Sequence, residues 1–460
     1  MLENRNRLAY AMLILFMVVF IAVVFRGLFA HQPGDENVYY YMGKMITEGK
    51  VPYRDFFFAH PPLQIYLVSL LYKIFGFNIA ILKSIPLIST LISAFFVFKI
   101  SEERFGNFSA ILSALLFLFS YSVMFNSVFS FGVDLAAMFL IIGTYLLWNR
   151  KNYIFSGLFF GLAAITRLLS LVPVLAIFSM VLLSGKKGIL RLSSGFFIIF
   201  LIANGAFLLL PGNDYPAQVY KFHLLKGSAA KENFNEYVDI IKLNWILFSS
   251  ASLLFFVKEK KRIAAFAVIS IVYLVFLTIL KTLFGFYFII AFPFLAVVGG
   301  CSIALIFRDI KLQRKWKLAI SAVLLSIFAW NLASDVLFLE KIGFRGFERG
   351  SDLIEYVNSI SSKDTLLFGD ASVAPLLALL TNKEIALDFA DTNNQVFISG
   401  ARNLNSVLAG LKGHDVVFIA RSREGISYFS EVRGFLNRNC EFLSQFNDKI
   451  EGAYAVYRCR

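Results

Sequence analysis

The chain has 460 residues, of which 58% are hydrophobic and 16% charged; mean hydropathy is +0.71 and formal net charge +14. A soluble domain is roughly 45–50% apolar, so this composition excludes one and defines a polytopic membrane protein. The basic residues are dispersed among short connections between apolar runs, which argues against a nucleic-acid partner and for a lipid bilayer.

Residues 8–30 form the first apolar run. Arg5 and Arg7 precede it as they would a cleavable signal, but the run is longer than a signal core and Phe25-Arg26-Gly27-Leu28-Phe29 lacks a small-residue cleavage site. It reads as a retained span.

A long polar loop, residues 31–78, follows. It opens with Asp35-Glu36 after Pro33-Gly34, continues through Tyr39-Tyr40-Tyr41 and Arg54-Asp55, and reaches His60-Pro61-Pro62. An acidic pair in a loop is commonly a solvated feature. Here a turn precedes it, rings suited to an interfacial helix follow it, and Arg54 and His60 share the loop. A carboxylate so placed can serve as a general base toward a hydroxyl or amine.

Further apolar runs fall at about 79–100, 107–125, 131–148, 153–184, 192–210, 243–257, 263–280, 285–307 and 317–336. The 153–184 run is long enough for one tilted span or two short ones. Segment 61–77 is short, begins with two prolines and contains Gln64 and Lys73. With the N-terminus in the cytoplasm and 61–77 lying at the membrane surface, Arg104, Arg150-Lys151, Lys186-Lys187, Lys258 to Arg262 and Arg308 to Lys317 all fall inside. About eleven spans result, and loops 31–78 and 211–242 and the tail from about 338 lie outside the cytoplasm.

Several isolated charges carry two readings each. Asp134 opens the 131–148 run, either as a functional membrane carboxylate or as an acidic residue complementing a helix dipole. Lys83 either contacts a phosphate or snorkels to the outer surface. Loop 211–242, with His223 and Lys226, is either a second wall gripping a phosphate or an amphipathic connection on anionic lipid.

The tail, 338–460, has ordinary polarity. Asp352–Ile360, Ala374–Leu380 and Tyr428–Asn437 read as helices, and Thr365–Phe368 and Asp415–Ala420 as strands. A small α/β domain of this size folds alone. Cys440 and Cys459 lie in it, and an extracytoplasmic tail leaves a disulfide between them open.

No Walker loop, Rossmann fingerprint or hydrolase elbow occurs in the sequence. Asp35, Glu36 and His60 leave a divalent metal open, yet a zinc site needs further ligands. A transporter or flippase is the competing class; it predicts ionisable residues and broken helices at the midplane, in paired repeats. No repeat is visible, and the charges collect at one face.

The first loop resembles that of the family-39-type GT-C glycosyltransferases, which include protein O-mannosyltransferases and aminoarabinose transferases. The likeness rests on Asp35-Glu36, an amphipathic Tyr39–Gly49 stretch, Tyr53-Arg54-Asp55-Phe56-Phe57 and His60-Pro61-Pro62-Leu63. Weaker matches are Phe75-Gly76 with Lys83, Asp134, Gly157–Arg167 and Phe286-Tyr287 through Pro293. Known members carry Lys-Pro-Pro where this chain has His60-Pro61-Pro62.

The resemblance covers roughly residues 8–336 and implies a GT-C-like helical membrane domain, 1–337; the tail's own pattern and the charge parity make 338–460 an extracytoplasmic α/β domain. It implies an inverting transferase of the cell (plasma or inner) membrane, using a polyprenyl- or dolichyl-phosphate sugar donor and a protein, lipid or glycan acceptor. Asp35 would be the base, Glu36 and Asp134 would orient it or the acceptor, and Arg54, His60, Lys83, His223 and Lys226 would face the donor phosphate.

Overall fold

The computed structural model describes residues 2–185, 188–227, 230–311, 313–347, 350–421, 425–448 and 452–460. The Lys186-Lys187 pair of the charge pattern lies outside them. The chain divides into two compact units. One comprises Met1–Leu28, Lys83–Asn204 and Ala229–Phe344; the other comprises Phe29–Leu82, Gly205–Ser228 and Arg345–Arg460.

The first unit is helical. Among the described residues, five helices are long and apolar enough to cross a membrane: Asn6–Phe29, Ile79–Phe105, Ile189–Leu208, Phe292–Asp309 and Lys315–Gly343. The integral membrane character of the protein follows from them. Shorter apolar helices, Asn107–Leu118, Val133–Trp148, Tyr153–Ala164, Leu168–Leu183 and Ala264–Leu277, occupy the remaining runs of this unit.

The 153–184 run is two helices. Arg167 adopts extended φ/ψ of −146° and 126°, and a 3₁₀ turn at Leu168–Ser170 starts the second segment. The expected 211–242 loop is shorter than the sequence suggested, because Ala230–Leu243 is helical. That helix meets the next, Trp245–Phe256, at 80°. Asn244 makes the bend: its Nδ2 donates to Ile240 O (2.8 Å) and Ser122 Oγ (2.7 Å), and its Oδ1 accepts from Ser122 N at 3.0 Å. A side-chain amide inserted at a helix break satisfies the backbone that the break exposes.

Glycines set one close approach. A Cβ on Gly157 would stand 2.1 Å from Leu192 O, and one on Gly195 2.2 Å from Ile154 O. The 153–164 and 189–208 helices therefore meet backbone to backbone, as small residues allow in membranes.

The second unit joins the first loop to the tail. The tail holds a four-stranded sheet of β1 (Leu366–Gly369), β2 (Val416–Arg421), β3 (Cys440–Asp448) and β4 (Gly452–Cys459), in the order β1-β2-β4-β3. β1 and β2 are parallel and the rest antiparallel. The two predicted strands and three predicted helices are present, displaced by a residue or two. The β3–β4 hairpin was not predicted. Cys440 and Cys459 face each other in its register and form a disulfide.

The Glu36–Thr47 helix of the first loop is buried along most of its length, including Glu36, Asn37, Tyr40 and Tyr41. The Leu63–Phe75 helix packs on it: a Cβ on Gly43 would stand 2.7 Å from Val68 Cγ1. At 13 residues the Leu63–Phe75 helix is about 20 Å long, short of the ~30 Å hydrocarbon thickness.

Candidate active site

Asp35 is the residue before the Glu36–Thr47 helix, half-buried, and its side chain makes no capping hydrogen bond. The backbone around it is pinned from the tail. Gly34 N donates to Ser372 O at 3.1 Å, and Asn37 Nδ2 donates to the same carbonyl at 3.0 Å and to Gln32 O at 2.8 Å. Tyr41 Oη accepts from Ile385 N at 2.7 Å; burial raises its pKa above the ordinary tyrosine value. Lys50 pairs with Asp388. The acidic loop is thus held by the carboxyl-terminal segment rather than loose in solvent.

Glu36 is fully buried and accepts from Tyr40 Oη at 3.1 Å, one helical turn on. Its predicted role in orienting the acceptor would therefore be exercised from inside the fold.

Tyr53 anchors the other end of the loop. It sits at φ 67°, a left-handed conformation that costs a non-glycine residue roughly 1–2 kcal/mol. Its ring compensates, being buried against Phe58, Phe207 and Tyr215. Gln218 crosses between segments: its Oε1 accepts from Phe58 N at 2.9 Å and its Nε2 donates to Tyr53 O at 2.9 Å. Within the expected 211–242 loop, the segment around Gln218 is thereby fastened to the first loop.

His60 and His223 lie together. Their rings stack at 5.5 Å with an interplanar angle of 29°. His223 Nε2 lies 2.8 Å from Ala59 O. A carbonyl only accepts, so Nε2 carries hydrogen and the neutral tautomer presents Nδ1 as an acceptor. Lys226 follows, its Nζ 5.1 Å from the Phe222 ring centroid.

Arg54 is exposed and pairs with Asp55 in a two-pronged bridge, Nε to Oδ1 at 2.8 Å and Nη2 to Oδ2 at 2.9 Å. Arg54 and the Val51 N–H hold the Asp55 carboxyl below the usual range. A phosphate would have to compete for this guanidinium.

Lys83 and Asp134 belong to the helical unit. Lys83 is fully buried; its Nζ donates to Gly27 O at 3.0 Å and lies 5.0 Å from the Phe129 ring centroid. It does not snorkel. Asp134 is in the first turn of its helix, 2% exposed, with Thr90 Oγ1 at 3.4 Å from Oδ1. Arg167, also buried, donates to Phe131 O. Three buried charged groups thus border the 127–134 connection, at Phe129, Phe131 and Asp134 itself.

The same unit contains an apolar cavity of about 410 Å³, lined among others by Phe108, Leu115, Trp245, Ile306, Phe307 and Leu325. Among the described residues no group of three or more His, Cys, Asp or Glu side chains is placed to hold a metal.

Sequence reasoning missed Asp391. This half-buried carboxyl follows Phe389-Ala390, and its titration is pushed up to about 7, first by burial and then by the charge of Asp35; Lys226 opposes the shift. No motif marks it, because its approach to Asp35 depends on the tail's fold.

The fold, a helical membrane unit with a small terminal sheet, has counterparts among solved membrane-protein structures. The family model described as dolichyl-phosphate-mannose-protein mannosyltransferase matches residues 59–210. ArnT from Cupriavidus metallidurans bound to undecaprenyl phosphate is similar in structure, with TM-score 0.65 and 14% identity over 96% of this chain and 97% of that one. The archaeal oligosaccharyltransferase AglB from Archaeoglobus fulgidus, in complex with an inhibitory peptide and a dolichol-phosphate, gives TM-score 0.57 and 9% identity over 98% of this chain and 74% of that one. Comparison by sequence with curated proteins finds no match.

Proposed function

We propose that this protein is an inverting glycosyltransferase that moves a sugar from a polyisoprenyl-phosphate donor to an acceptor outside the cytoplasm. The observation that carries the reading is the placement of Asp35: a half-buried carboxylate at a helix start, braced by Ser372, in the same unit as His60, His223 and Lys226. The family match and the likeness to lipid-phosphate-binding transferases point the same way. The transporter alternative is not favoured.

In this reading Asp35 takes the proton of the acceptor's hydroxyl or amine as that atom attacks the anomeric carbon. The new bond forms on one face while the bond to the phosphate oxygen breaks on the other, so the configuration inverts and the lipid phosphate departs with the electron pair. His60 and Lys226 would stabilise the departing charge, with Arg54 as a further cation, and His223 would join them as an imidazolium whose Nδ1–H donates; Glu36 would orient the reacting groups. The apolar cavity beside Trp245 and Phe307 suits an isoprenoid chain.

Residues 1–337 would be the catalytic membrane domain and 338–460 an extracytoplasmic domain, with the N-terminus in the cytoplasm. The 13-residue length of the Leu63–Phe75 helix supports the parity on which this orientation depends. The test is transfer of labelled sugar from purified polyprenyl-phosphate sugar by the reconstituted protein into membranes of a deletion strain. Transfer above a protein-free control supports the function; none contradicts it.

A further inference from the structure

Three contacts fix one part of the tail: one joins it to the first loop, one lies within the tail, and one joins it to the segment that carries Lys226. Ser372, just past β1, accepts from Gly34 N and Asn37 Nδ2 on either side of Asp35. Thr392 Oγ1 donates to Gly369 O at 2.5 Å, holding the 391–392 turn at the carboxyl end of β1. Gln395 Oε1 accepts from Gly227 N at 2.9 Å, one residue beyond Lys226. Loops beyond the carboxyl ends of parallel strands commonly build ligand sites.

Two buried amide oxygens stand in these same segments. Asn37 is fully buried, and its Oδ1 has no hydrogen-bond partner among the described residues; nor has the buried Oδ1 of Asn394. Leaving a buried acceptor unsatisfied is destabilising, so each calls for a donor. Both oxygens accept, and the ionised carboxylate of Asp35 accepts as well. A ligand that satisfies this set offers hydrogen-bond donors.

We propose that Asp391 is a positioning residue for the acceptor: with Asp35, Asn37 and Asn394 it forms the subsite that receives the acceptor's hydroxyl or amine end, so the tail completes the active site. The proposal rests on the transferase reading. Asp35 and Lys226 are the charged groups that act on Asp391. With Asp35 ionised, a protonated Asp391 donates to an acceptor oxygen and leaves Asp35 to accept the acceptor's proton.

The experiment has two arms on the full-length protein in lipid nanodiscs. In the first, carbodiimide labels protonated carboxyls across pH and peptide mass spectrometry reads Asp391. Wild type is expected to label near neutrality, and Asp35→Asn to shift the midpoint down by at least half a pH unit. An unmoved midpoint overturns the pairing. This arm needs no transfer, so it stands apart from a failure of the transferase reading itself.

The second arm titrates deletion-strain membranes as acceptor against a fixed polyprenyl-phosphate sugar. Asp391→Asn is expected to raise the apparent acceptor KM at least tenfold with donor KM within twofold, and Asp391→Glu to recover part of it. Unchanged acceptor KM, or equal changes in both constants, overturns the positioning role. Acetylating the membrane amines beforehand assigns the acceptor atom: lost transfer means amine, retained transfer means hydroxyl, and the subsite accommodates either.

Discussion

Asn37 donates its side-chain amide to the carbonyl of Ser372 across 335 residues of sequence, at 3.0 Å and from a fully buried position. The relationship makes the first loop and the tail one folded unit. Asn37→Leu removes both bonds of that amide, taking the side-chain donor from Gln32 O and leaving Ser372 O with Gly34 N–H alone. A loss of about 1–3 kcal/mol is expected, read as a lower thermal midpoint of the purified protein; an unchanged midpoint would mean the tail is merely resting there.

Gly157 tests the packing of the membrane unit. Any Cβ there meets Leu192 O at 2.1 Å, and both partners are backbone, so neither can move aside cheaply. Gly157→Val should force the 153–164 and 189–208 helices apart and reduce the folded yield in detergent. Overpacking of this kind costs about 1–3 kcal/mol. A control, Gly205→Ala, meets nothing within 4 Å and should be tolerated.

Arg458 fixes the charge of Asp415 through two bonds, 2.8 and 2.9 Å, and holds that carboxyl below its ordinary value. A depressed carboxylate contributes stability above its unfolded pKa and loses it as pH falls through the folded one. The wild-type tail should therefore weaken below about pH 4. Arg458→Leu should flatten that acid limb in denaturant titrations at pH 7 and pH 3. The pair is partly exposed, so the effect at neutral pH is small.

The Cys440–Cys459 bridge closes the β3–β4 hairpin with a sequence separation of 19. A loop of that size contributes about 3 kcal/mol in the chain-entropy account. Replacing both cysteines by serine should lower the unfolding midpoint of the tail, and dithiothreitol should lower the wild type's but not the variant's.

Much of this architecture was legible before any coordinates. Apolar length and the placement of Arg150, Lys258 and Arg308 exposed the helical unit, because the bilayer imposes both rules. Turn residues and burial periodicity revealed β1, β2 and three tail helices. The β3–β4 hairpin escaped because Glu441, Ser444 and Gln445 blur its alternation, and because edge strands need not be apolar on both faces. The bend at Asn244 escaped too: its cause is Ser122, distant in sequence.

At the candidate site, Asp35, His60 and His223 were recognisable as residue types suited to the chemistry. The stacking of the two histidines was not, since it requires Gln218 to bridge Phe58 and Tyr53. Arg54 looked like an open cation, yet its neighbour Asp55 engages it. Asp391 sits in a polar stretch with no periodic signal, and only the fold brings it within reach of Asp35.

The most direct measurement compares wild type with Asp35→Asn for transfer of labelled sugar from polyprenyl-phosphate sugar, alongside donor binding by the same preparations. A base removed costs roughly 10²–10⁴-fold in rate, so the account predicts that loss with donor binding kept within a few-fold. Since a carboxamide cannot take up the acceptor's proton at neutral pH, a variant that transfers sugar as fast as wild type would contradict it.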